Sequence, residues 1–253
     1  MNPRSHSSKL AVTMLLSGIC ALALRKGLYA TAVDVKGLLL RNQPLSIALT
    51  VLTIGVLIRI ALVIRKSDGC DAYEDNYRAS LPAAIGNLAA GAGILATVLN
   101  AAPLMGGYLD IAWHYLGFIA PVCLLAAAIA RVLGKKPFFL FHVAVCLFFL
   151  IHIVSHYQLW SGNPQMQDYV FSLLGATALM LFGFYAAAME AGCGNRRMTL
   201  ATGLAAIYLC LGELARSSCP WLYLGGILCV LTDLLSLQNP ETTYSDDSSH
   251  KRR

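Results

Sequence analysis

Along this chain, long apolar runs alternate with short breaks of Pro, Gly or clustered charge, from Leu10 through Leu237. A helix needs about 20 mostly apolar residues to cross the hydrocarbon core of a bilayer. Eight segments approach that length: 10–31, 45–64, 81–102, 108–132, 137–157, 167–191, 198–216 and 220–237. The pattern predicts an all-α fold, a polytopic transmembrane helix bundle of about eight spans, or seven if the first does not cross. A transmembrane β-barrel would show short alternating segments, and these are absent. The expected organisation is a single transmembrane helical domain over residues 1–238, followed by a polar, disordered cytoplasmic tail over 239–253, ending in Lys251, Arg252 and Arg253. The two halves show no internal repeat.

Three spans carry local irregularities. Arg4 and Lys9 ahead of a short apolar run resemble a signal peptide, but Arg25 and Lys26 follow directly without a small-x-small cleavage site. That favours an uncleaved first helix whose cations snorkel or sit at the interface. The third span reads "IGNLAAGAGILA", with Gly86, Ala89, Ala90, Gly91 and Gly93 placed to let another backbone approach. Glu213 interrupts the seventh.

Composition strengthens the membrane reading. The chain is 57% hydrophobic and 13% charged, about half the charged fraction usual for a soluble domain. Its net charge of +6 is spread in small groups at helix ends, which argues for orientation in a bilayer and against nucleic acid as a partner. With an inside N-terminus, 13 of the 19 Lys and Arg residues fall on inside segments and five on outside ones, Arg59 lying within the second span. The connections 102–107 and 158–164 hold none. This asymmetry predicts a multi-pass protein of the cell membrane with both termini cytoplasmic. The lipid bilayer is the expected partner; a protein partner is not legible. The eight cysteines are dispersed without a C-x-x-C, so neither a disulfide framework nor a zinc motif is indicated.

Candidate chemistry gathers at the predicted outer ends of spans four and five. Asp110 and His114 share one helix face, and so do His152 and His156, each pair four residues apart. If the two spans pack side by side, these four groups converge, and Glu213 can join them. Imidazole and carboxylate suit a divalent metal such as Zn²⁺, and two imidazoles on facing helices suit haem iron. The competing reading is an interfacial belt formed by Trp113, His114, Tyr115, His156, Tyr157 and Trp160. His142 is expected to snorkel near the cytoplasmic end, as is Arg59. Asn87 and Asn100 are placed to bond between helices, and Glu190 has no obvious partner. The segment "RKSDGCDAYEDNYRAS" fails the Ca²⁺-loop pattern and reads as a solvated loop, its acids balanced by Arg65, Lys66 and Arg78. The tight segment "SGNP" reads as a turn.

No catalytic signature is present, which leans against an enzyme. The function expected is a small-molecule binding or transport component. The alternatives are a haem- or metal-binding membrane protein using Asp110, His114, His152 and His156, and a structural or assembly partner of another membrane protein.

Overall fold

The structure is a computed structural model that describes residues 4–31, 43–66, 73–77, 79–100, 108–161 and 166–237. The tail 239–253, the connection 102–107, the "SGNP" turn beyond Ser161 and the acidic positions 68 and 71 lie outside the described residues. Among the described residues nine helices follow in chain order: α1 (Arg4–Thr31), α2 (Pro44–Lys66), α3 (Tyr73–Asn76), α4 (Leu81–Asn100), α5 (Tyr108–Val132), α6 (Leu140–Ser161), α7 (Met166–Ala191), α8 (Arg196–Glu213) and α9 (Pro220–Ser236). No strand occurs among the described residues, only an isolated bridge between Tyr77 and Leu237.

All eight predicted spans are helical. Six of them, α1, α2, α4, α5, α6 and α7, are long and apolar enough to cross a membrane, and α9 is a shorter apolar helix. The bundle is thus suited to a multi-pass membrane protein. Its exterior is apolar to match: Val51, Leu99 and Val122 are 64%, 65% and 65% exposed. An aqueous protein would not leave so many large apolar side chains on its surface.

Two glycines shape the tight turns. Gly134 and Gly192 have φ of 66° and 84°, the left-handed region that β-carbons disfavour. At each, the next residue's N–H reaches back to close the preceding helix: Lys135 to Ala130 O, and Cys193 to Ala188 O, both at 2.9 Å. This is the Schellman arrangement. It fixes where α5 and α7 stop. After α7, Asn195 starts α8 by accepting from the N–H groups of Arg197 and Met198.

The packing order is a ring. α4, α5, α6, α7, α8 and α9 each pack on the next, and α9 closes on α4. α1 and α2 lie outside this ring against α8. The small residues of the third span make the closure possible. A β-carbon at Gly93 would collide with Trp221 O of α9, and one at Gly86 would collide with Thr232. Across the same seam, a β-carbon on Gly225 would lie 2.6 Å from Ala89 O. Gly91 instead faces Pro121 of α5. We call the end of the bundle where α1 begins the proximal end, and the other the distal end.

Several expectations are corrected. The segment before α4 is not simply a solvated loop: Tyr73, Asn76 and Tyr77 are buried, because α3 folds its aromatic residues under the proximal end. α8 starts at Arg196 rather than 198 and stops at Glu213, the Asn195 cap setting its start. α6 starts at Leu140, after the irregular stretch around Pro137, and runs on to Ser161.

Candidate functional site

Inside the ring lies a partly open cavity, with about 440 Å³ of empty space counted out to its mouth. Its wall is apolar: Ile94 of α4, Leu124 of α5, Phe149 of α6, Phe182 of α7 and Leu222 of α9 all face it. Two polar side chains reach it, His142 and Cys229.

The proximal end of the cavity rests on buried charge. His142 lines the cavity, and its Nδ1 lies 2.9 Å from Glu190 Oε2 on α7. Asp233 stands one turn beyond Cys229 on α9, and its Oδ1 is 3.1 Å from Arg131 Nη2 on α5. Arg131 lies against the aromatics of α3 and the residue after it, with its guanidinium carbon 4.1 Å from the Tyr77 ring centre and 5.3 Å from that of Tyr73. Cation–π contact of this kind strengthens as water is excluded. Arg196 Nη1 donates to Asn76 Oδ1 at 3.0 Å, tying α8 to the same layer. Burial pushes the Tyr73 phenol up to about 12, opposed by Arg131 and assisted by Glu190 and Asp233. Burial pushes Tyr77 higher still.

This layer is unevenly satisfied. Arg131 Nε and Nη1, Tyr77 Oη, Glu190 Oε1 and both Asp233 oxygens are buried without an aligned hydrogen bond among the described residues. The Arg131–Asp233 contact is therefore close in charge but off the hydrogen-bond axis. Each buried polar atom left unmade costs about 1–3 kcal/mol, so their concentration in one layer marks it as a place that takes hydrogen-bonding groups.

The distal end holds the residues singled out from sequence. The four do not form one set. His152 packs on His156 with ring centres 3.9 Å apart and planes tilted by 42°, and its Nδ1 accepts from Trp113 Nε1 at 3.2 Å. Accepting at Nδ1 places the ring proton of His152 on Nε2. His156 Nδ1 donates to His152 O at 3.0 Å. Asp110 and His114 form a separate pair: His114 Nδ1 lies 2.8 Å from the Asp110 carbonyl and 3.6 Å from its carboxylate. Among the described residues no three of His, Cys, Asp and Glu are grouped as a metal ion would require. With its proton on Nε2 and its Nδ1 taken by Trp113, His152 offers no lone pair to a metal, whereas the Nδ1 bond of His114 leaves Nε2 as the nitrogen of that ring that could hold one.

Other expectations change at both ends. Trp113 and His156 are buried rather than interfacial, whereas Tyr115 and Tyr157 are exposed. His142 does not snorkel, and it supplies the partner that Glu190 lacked in the sequence. Glu213 joins Arg25 instead of the histidines: Arg25 Nη1 donates to Glu213 Oε2 at 2.9 Å and to Gly212 O at 2.8 Å. Arg25, expected to snorkel, is buried by that pair. Asn87 accepts from Cys229 Sγ across helices, whereas Asn100 donates within its own helix, to Ala96 O. Asp233 escaped the sequence reading. Its signal was a lone carboxylate in the apolar run of α9.

No protein-family model matches the chain, and no curated protein or solved structure matches it significantly.

Proposed function

We propose that the chain is a multi-pass membrane protein that binds a small, largely apolar molecule inside the ring of helices. The observation that carries this reading is the cavity between α4, α5, α6, α7 and α9 with His142 at its proximal floor. An apolar body would occupy the space between Ile94, Leu124 and Phe182. A single polar group would turn toward His142 and the charged layer behind it. The occupant is then mostly hydrocarbon, with a head that both donates and accepts hydrogen bonds, because both orphaned donors and orphaned acceptors stand in that layer. A transport role would require one of the two polar ends to open. The basic residues at the proximal end support a cytoplasmic placement of that end in the cell membrane.

The test is thermal unfolding of the purified chain in lipid nanodiscs against a panel of medium-chain alcohols, amides and aromatic ketones. Val145 lines the cavity, and Val145→Phe fills it. At least one compound should raise the midpoint of the wild type and leave that of the filled variant unmoved. Saturation at 100 times Kd is worth about 2.7 kcal/mol. Equal shifts in both proteins across the whole panel would rule out the cavity as a binding site.

A further inference from the structure

The outer helix α2 carries a feature that the ring does not use. Its inward face is narrow: Val56 and Ile60 are buried, and Thr53 Oγ1 meets Tyr208 Oη at 2.8 Å. Its outward face is exposed along Val51, Ile54, Gly55, Ile58, Arg59 and Leu62. Val51, Gly55 and Arg59 follow one another at four-residue spacing, so they form one stripe. A β-carbon on Gly55 would meet nothing within 4 Å. The stripe is thus an open notch with an arginine beside it.

Arg59 is poorly placed to reach water alone. It stands seven residues before the proximal end of α2 at Lys66, about 10 Å at 1.5 Å per residue. Helical side chains lean toward the N-terminus of their helix and cover the preceding turn. For α2 that direction is distal, over Gly55 and deeper into the apolar band. Arg25 and Arg131, by contrast, each lie against a carboxylate. Arg59 makes no hydrogen bond or ion pair among the described residues. A cation at such a depth is costly unless a counter-charge meets it.

We propose that the outward face of α2, centred on Gly55 and Arg59, docks a transmembrane helix of a different protein that presents a carboxylate at the depth of Arg59. The notch at Gly55 admits the close approach of a second backbone, as small residues do between membrane helices. Charge complementarity selects the acid. Among the described residues a second copy of this chain does not supply it at that depth: Glu190, Glu213 and Asp233 are buried in pairs, Asp110 lies at the distal start of α5, and Glu74 stands on the short α3 outside the long helices. The inference rests on the membrane reading of the bundle but not on the cavity, so the two can fail separately.

The experiment reconstitutes the full chain in phosphatidylcholine nanodiscs with a fluorescently labelled Leu/Ala-rich transmembrane peptide. One peptide carries a single Glu at the depth of Arg59, and its control carries Leu there. Energy transfer reads association. The Glu peptide should bind about five- to tenfold more tightly, the scale of one interhelical polar contact in lipid. Arg59→Leu should erase the preference, and Gly55→Leu should weaken both peptides. Both sites are exposed, so a thermal midpoint no lower than that of the wild type will show that the bundle is intact. Equal binding of the two peptides overturns the proposal. So does a preference that survives Arg59→Leu. Tighter association between two labelled copies of this chain, or enrichment of anionic lipid at Arg59 without any peptide preference, would assign the face to a dimer or to lipid and overturn it as well.

Discussion

The Arg131 guanidinium and the Asp233 carboxylate approach to 3.1 Å between α5 and α9, helices that sit on either side of α4. The pair therefore ties together two helices that do not otherwise form a main packing contact. It also holds α3 in place, because Tyr73 and Tyr77 lie over the same guanidinium. One ion pair thus organises the proximal closure of the cavity.

Removing one partner leaves the other charged and buried. Arg131→Met or Asp233→Leu alone should each cost about 3–5 kcal/mol. The double variant should cost far less than the sum, because both desolvation penalties vanish together. Denaturant unfolding of the four proteins in one detergent measures this. Simple additivity would show that the two side chains do not depend on each other.

At the distal end, Arg25 should resist replacement by lysine. It reaches Glu213, Gly212 O and Tyr29 Oη from one planar group, 4.5 Å from the Phe171 ring centre. A single ammonium cannot copy that fork. Arg25→Lys should lose about 1–3 kcal/mol. A lysine variant as stable as the wild type in thermal unfolding would mean that charge alone suffices there.

Glycine-to-alanine changes should have opposite signs at two positions. At Gly93 the new methyl strikes the α9 backbone at Trp221, an overpacking worth about 1–3 kcal/mol of destabilisation. At Gly55 it meets nothing, and the helix gains about 0.5–1 kcal/mol from reduced backbone entropy. Thermal midpoints of the two variants should move in opposite directions.

The tyrosines of α3 give a pH signature. Tyr73 titrates near 12 when folded, against an ordinary value of 10.0, chiefly because it is buried. The neutral phenol is the form that the fold favours. Its contribution to stability is therefore complete below pH 10 and is lost as pH rises through 12. An ultraviolet titration of the folded protein should show one fewer late-ionising phenol in Tyr73→Phe. If the lost phenol is one that ionises near 10, Tyr73 is not buried as described.

Much of this architecture was legible from residue pattern. Apolar run length located every spanning helix, and the Gly and Ala stripe of α4 does face a close neighbour, α9. What pattern could not show was partner choice. A lone Arg25, Glu190 or Asp233 in an apolar run says only that some counter-group is needed. Which group supplies it depends on how helices far apart in sequence are arranged. Glu213 lies at the same end as the histidines, so depth alone could not separate them from Arg25. α3 was missed for a different reason. One turn of helix has no periodicity to read, and its acidic residues drew attention away from the two tyrosines that bury it.

α8 is the helix least able to declare itself by hydropathy, with Arg196, Arg197 and Glu213 at its ends, yet fourteen of its eighteen residues are buried. It is walled by α7 and α9 within the ring and by α1 and α2 outside it. The two buried end charges are answered by residues made earlier in the chain, Asn76 for Arg196 and Arg25 for Glu213. During synthesis, then, every wall of the berth for α8 except α9 is made before α8 emerges. Its entry is an act of assembly, not of partitioning, and a defect in α1 or α3 should surface as a failure to seat a helix more than a hundred residues downstream.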